Sequence, residues 1–291
     1  MSAKVDARRE KAGPVTPRPG PDARAPTAHR PPRAAHRATG WSVTAAIALV
    51  ALGLWQAAAA AFGAAWLLPP PGAVVAAFED PATRDVILAN VGPTVEEALA
   101  GFALCIVVGV ALALAMAASR AVRDGLYPLL IASQTVPTIA IAAILVVALG
   151  YSIVPKIVAV VLYSFFAITV NVYDALQALD PELPGLLRTL GASRWDVLRT
   201  AQLPAALPGF FTGARLSVAY SISAAVYAEL IGASNGGLGI ALTQATNALD
   251  QPRVFAIVVV MAALGLLGYA AVAAIEHVCV PWARAAHGHG L

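Results

Sequence analysis

The chain has 291 residues, of which 59% are hydrophobic and 12% charged, with 19 Lys and Arg against 16 Asp and Glu. Its mean hydropathy is +0.75. So little polar surface cannot cover a water-soluble globule of this length, which excludes a soluble enzyme or binding module and leaves a chain that faces lipid over most of its surface. Several apolar runs exceed the roughly 18 to 20 residues that span a bilayer core, and a helix satisfies its own backbone polar groups in lipid. The fold class that follows is an all-α, multi-pass membrane protein.

Residues 1–40 are rich in Pro, Ala and Arg, with nine basic residues against Asp6, Glu10 and Asp22. Such a stretch buries no core and reads as a disordered basic tail in the cytoplasm; a nucleic-acid or anionic-lipid role for it is the less favoured reading. The first apolar run, residues 41–68, is too long for a signal-peptide core and reads as a retained span. Prolines at 69–71 then break the chain, and residues 72–90 alternate polar and apolar side chains as a short amphipathic element at the outer surface. Further spans are expected at 94–118, 126–149, 154–176, 207–231 and 254–276, which makes about six. The transmembrane domain is then 41–280, followed by a short cytoplasmic tail at 281–291.

An even count puts both termini on one side. With that side cytoplasmic, the inner segments carry the nine tail cations, Arg120, Arg123, Arg188, Arg194, Arg199 and Arg284. The outer ones carry Arg84, Lys156 and Arg253, as the positive-inside bias requires. Cys105 and Cys279 are the only cysteines and offer neither a disulfide framework nor metal-ligand spacing. Glu96 and Glu97 read as acidic residues favouring the start of the second span. His277, His287 and His289 lack a complementary ligand set, so no metal is expected. No lysine stands in a P-loop, so any ATP hydrolysis must belong to another subunit.

A polar loop at 180–206 interrupts the apolar pattern. Pro181 and Pro184 are placed to end the preceding helix. Gly191 permits a tight turn, and Ser193 is placed to cap a short helix through Arg194, Trp195 and Leu198. Leu203, Pro204 and Pro208 then stop that helix and start the next span. An exposed Trp flanked by Arg188, Arg194 and Arg199 suits insertion into a groove of a soluble partner. The plainer alternative is an amphipathic connector lying on lipid headgroups.

Polar residues within spans are costly in lipid, so Gln134, Asn171, Asp174, Tyr220, Ser221, Ser223, Tyr227 and Glu229 are candidates for a solute path. The plainer reading is helix-to-helix bonding or snorkelling near a membrane face, which weighs equally with the path for Asn171 and Tyr220 and more heavily for Asp174 and Glu229. The glycine-rich run 232–239 reads as a flexible outer hairpin rather than a phosphate cradle.

The spacing from Gly191 to Leu203 and Pro204 resembles the G-x9-(I/A)-x-L-P coupling loop of permease subunits in bacterial ABC importers. Residues 190–193, 203–208, 212–215, Ala228, Glu229 and 237–239 together resemble permeases of the nitrate, sulfonate and taurine type. The run 135–141, Gly150, Tyr151, residues 168–172, 229–234 and 253–256 are similar to the branch associated with thiamine pyrimidine precursors, and riboflavin permeases look similar too. The resemblance implies a type I importer permease with a cytoplasmic coupling helix in the bacterial inner membrane. Its implied partners are an ABC ATPase subunit, an extracytoplasmic solute-binding protein and a second permease copy; it implies no cofactor and no nucleic acid. Ala192 belongs with the loop residues named above as the implied ATPase contact. One departure is that Gly185, Leu186 and Leu187 stand where the family's Glu-Ala-Ala lies. The alternative function is a self-sufficient secondary transporter or channel, for which paired charges or broken helices at mid-membrane would speak; the sequence gives no convincing pair.

Overall fold

The computed structural model describes residues 33–63, 67–180, 182–231 and 236–282. Among them are α-helices α1 (Arg33–Phe62), α2 (Pro71–Glu79), α3 (Pro81–Ala118), α4 (Arg120–Thr135), α5 (Thr138–Leu149) and α6 (Ile153–Gln177). They continue with α7 (Glu182–Thr189), α8 (Arg194–Val197), α9 (Leu203–Ile231), α10 (Leu238–Asn247) and α11 (Gln251–Cys279), and a π-helical turn Leu198–Gln202 joins α8 to α9. By its contacts the chain divides into residues 1–52 and 53–291. Of the first unit only a helical stretch is described, whose apolar side chains Val43, Ile47, Leu49 and Val50 are exposed, as lipid contact requires. Most of the expected tail 1–40, and residues 283–291, lie outside the described residues; the helix already begins at Arg33.

The all-helical reading holds. Among the described residues four helices are long and apolar enough to cross a membrane, in Ser42–Ala61, Pro81–Ala118, Ile153–Gln177 and Gln251–Cys279. A fifth crossing follows if Arg120–Thr135 and Ile139–Leu149 count as one, although they meet at 97°. The expected single span 126–149 is therefore broken, at Val136 and Pro137, because a proline at the start of α5 cannot continue the ladder of α4. The sixth expected span, α9, is 29 residues and so about 43 Å long, but Arg215, its serines and Glu229 lower its apolarity. The expected surface element 72–90 is instead α2 plus the first turns of α3, which starts at Pro81 under an Asp80 cap and runs through Pro93.

Helix α6 lies between α3 and α9, and both contacts are made by small residues at four-residue spacing. On α3, Gly101, Cys105, Gly109 and Ala113 are buried; a Cβ on Gly109 would come within 2.9 Å of Ile168. On α9, a Cβ on Gly213 would meet the Ala167 carbonyl at 2.7 Å. Ser217 continues that row and donates its hydroxyl to the Ser164 carbonyl at 2.7 Å. Without a hydrophobic drive between helices in lipid, this close backbone approach and its buried hydroxyl bonds hold the three helices together. A second apolar cluster joins Val74, Ile87, Leu238, Ala241, Ala245 and Ile257 where α2, α10 and the starts of α3 and α11 meet.

The candidate coupling loop and the exposed face of α9

The loop is built from two local devices. Helix α7 ends in a Schellman turn: Gly191 has φ +91° and donates its N–H to the Arg188 carbonyl, while Ala192 donates to the Leu187 carbonyl, each at 3.0 Å. A side chain other than glycine would be strained there. Ser193 then caps α8, as expected from the sequence. The Asp196 N–H donates to Ser193 Oγ at 3.2 Å, and the Ser193 N–H and Oγ–H donate to Asp196 Oδ2 at 2.9 and 2.6 Å. These bonds hold the Asp196 carboxyl below the usual carboxylate range. Val197 is buried, whereas Trp195 is 63% exposed and points away from the chain's own core.

Arg188, Arg194 and Arg199 are exposed and make no ion pair among the described residues. A rigid, capped turn that presents an indole and unpaired cations is suited to a partner rather than to the chain itself. Two details differ from expectation. Pro184 lies inside α7 rather than ending a helix. Leu203 and Pro204 do not stop the loop helix but begin α9, into which the π-turn runs without a break. Pro181 lies outside the described residues, and Gly185 is exposed on α7.

On α9, Tyr220, Ser223 and Tyr227 fall on one exposed stripe, with Leu216 and Leu230. Tyr163 of α6 meets Tyr220 and Tyr227 edge-to-face, with centroids 5.7 and 6.4 Å apart. Ser223 and Tyr227 also line an open cavity of about 510 Å³ with Met261, Leu266 and Tyr269. The structure thus brings three of the expected path residues together. Gln134 lies on α4 beside Ser133, and Asn171 spends its amide on the Ala167 carbonyl at 2.8 Å. Gln134 lines a small pocket with Tyr163, whose ring packs on the stripe, whereas Asn171 does not join it.

Glu229 is on the opposite side of α9, only 2% exposed, and does not reach water as a snorkelling carboxylate would. Thr94 Oγ–H donates to its Oε1 at 2.6 Å and the Gly239 N–H to its Oε2 at 2.6 Å. Beside it Lys156 forms a buried ion pair with Glu97, whose Oε2 has no hydrogen-bond partner among the described residues. Glu97 therefore lies well inside α3 rather than at the start of a span, and Lys156 is not an outer-loop charge. Arg253 is also paired, to Asp80 and Asp250 at 3.6 and 3.3 Å. A second partly buried pair, Arg215 and Glu276 at 3.0 Å, joins α9 to α11. Sequence reasoning missed both intramembrane pairs because their partners lie on different helices.

The pattern of the family described as binding-protein-dependent transport system inner membrane component matches residues 105–277. The formylaminopyrimidine transport permease protein ThiX of Halalkalibacterium halodurans is 36% identical over 81% of this chain and 94% of its own length. The riboflavin transport system permease protein RibX of Chloroflexus aurantiacus is 30% identical over 84% of this chain and 90% of its own. A structure titled as inward-facing conformations of the MetNI methionine ABC transporter superposes with a TM-score of 0.53 at 20% identity, covering 67% of this chain and 99% of that one, which supports the fold.

Proposed function

The chain belongs to the family of binding-protein-dependent transport system inner membrane components, the permease subunits of ABC importers, and on that premise we propose how it moves a solute. The loop 180–206 is the docking handle for a separate ABC ATPase subunit. Closure of that subunit pushes α8, and the continuous π-turn passes the push to α9. The stripe Tyr220, Ser223 and Tyr227 forms one wall of the path, offering hydroxyls on an aromatic surface to a small polar solute. A second copy supplies the other wall, and an extracytoplasmic binding protein delivers the solute to the end of α9 remote from the loop. Both chain termini then lie in the cytoplasm, a reading supported by the excess of Arg120, Arg123, Arg188, Arg194 and Arg199 on the loop's side over Arg84 and Arg253 on the other.

The observation that carries the coupling role is the exposed Trp195 on a fully capped turn. The likeness to ThiX favours a thiamine pyrimidine precursor of the formylaminopyrimidine kind as solute; the likeness to RibX gives riboflavin as the second reading. Paired charges and a broken helix are present after all, yet family membership decides for the ABC importer over a self-sufficient transporter. Co-purification of the chain with its ATPase subunit tests the reading. The wild type is expected to hold the ATPase and support hydrolysis, and Trp195→Ala to lose it; a wild-type chain that purifies alone and moves solute into liposomes without ATP would overturn it.

A further inference from the structure

Where the chain enters α10, at residues 237–239, backbone N–H groups bond polar side chains of α3 and α9, one of them the buried Glu229 carboxylate. Successive backbone N–H groups turn inward: Gly237 donates to Asn90 Oδ1 at 2.8 Å, Leu238 to Thr94 Oγ1 at 2.8 Å and Gly239 to Glu229 Oε2 at 2.6 Å. Thr94 closes the ring by donating to Glu229 Oε1 at 2.6 Å. Gly237 has φ +135°, and a Cβ there would land on the Glu229 carboxylate, while one on Gly239 would meet the Val226 carbonyl at 2.7 Å. Gly237 and Gly239 are thus required by the Glu229 carboxylate and the Val226 carbonyl packed against them, while residues 232–235 of the expected flexible hairpin lie outside the described residues. Lys156, paired with Glu97, supplies the neighbouring positive charge. The ring ties α3, α9 and the start of α10 together at the end of α9 farthest from the coupling loop, and the Glu97–Lys156 pair joins α6 to α3 beside it.

We propose that Glu229 and Thr94 are positioning residues for transport: they lock α10 onto α3 so that the motion of α9 moves the outer end of the path as one body. This rests on the reading that α9 carries the ATPase push across the membrane. Without the lock, α9 would still move while α10 lagged, and hydrolysis would proceed with little delivery of solute.

The test uses the full chain with its ATPase subunit in nanodiscs and proteoliposomes, carrying Ala245→Cys in a Cys279→Ser background. Ala245 is a buried residue of α10, and the native Cys105, buried between α3 and α6, reports global opening. A membrane-impermeant maleimide is the probe. Thr94→Val and Glu229→Gln are expected to raise labelling at position 245 about ten-fold, the worth of one buried hydrogen bond, with Cys105 unchanged. Thr94→Ser, which keeps the hydroxyl, should label as the wild type does. Uptake of radiolabelled formylaminopyrimidine with the binding protein should fall about ten-fold in Thr94→Val while ATP hydrolysis stays within about two-fold of wild type. Wild-type labelling in both variants, or Cys105 exposed in step with position 245, would overturn the lock. Absence of wild-type uptake would overturn the solute reading instead, and the labelling would still decide the lock.

Discussion

The loop before α9 and the cluster at its far end are both polar insertions in an apolar chain, but they are assembled on different scales. In the loop every bond that matters is local: Ser193 and Asp196 are three residues apart. In the cluster, Lys156 and Glu97 are 59 residues apart, Thr94 and Glu229 135, and Gly237 and Asn90 147. The first site is exposed and presents unpaired groups, which is what a docking surface needs. The second is closed on itself, and its removal from water makes each member depend on the others. Polar groups that face a partner and polar groups that hold the fold are thus distinguished by their own pairing rather than by residue type.

Breaking the ion pair should have the largest effect. Lys156→Met leaves Glu97 and Glu229 buried without their cation and is expected to cost about 3 to 5 kcal/mol, seen as loss of monodisperse protein in detergent. Glu97→Gln/Lys156→Met should recover most of the loss; failure to recover would mean that Lys156 acts by packing. Next, Gly213→Leu drives a side chain into the Ala167 backbone and should separate α6 from α9, at or above the roughly 1 to 3 kcal/mol of ordinary overpacking.

The loop should respond differently. Trp195→Ala should leave thermal unfolding of the isolated chain within about 0.5 kcal/mol of wild type. The same change should weaken ATPase binding about thirty-fold, equivalent to about 2 kcal/mol at an anchoring aromatic, by surface plasmon resonance in nanodiscs. Ser193→Ala removes the cap and should cost about 1 kcal/mol of local stability, read as faster hydrogen exchange at the Asp196 amide. The smallest effect is that of pH. The carboxyl of Asp196 is held below its ordinary range, so its bonds to Ser193 stay intact as pH falls through that range and are lost only as pH falls through the lowered value. Exchange at the Ser193 amide should therefore gain acid sensitivity only below the ordinary carboxylate range, and Asp196→Asn should abolish that sensitivity.

Much of the loop was legible because capping and turn chemistry act over a few residues: Ser193, Gly191 and the exposed Trp195 stand where sequence reasoning puts them. Helices α6 and α11 also follow their apolar runs closely. The break at Pro137 was signalled by the proline but hidden by the apolar residues on both sides. The small-residue rows from Gly101 to Ala113 and from Gly209 to Ser221 carry a readable four-residue period, although not the identity of the helix they approach. The cluster was illegible for a related reason. Glu97, Lys156 and Glu229 each look like a charge near a span end, and only the packing of α3, α6 and α9 turns three isolated charges into one network.

The central claim is that the loop docks the ATPase and the far cluster does not. The most direct measurement is the affinity of the ATPase subunit for the wild-type chain, for Trp195→Ala and for Thr94→Val, side by side in nanodiscs. Weaker binding confined to Trp195→Ala is the predicted result. Equal affinity for Trp195→Ala and wild type, or equal losses in both variants, would contradict the account.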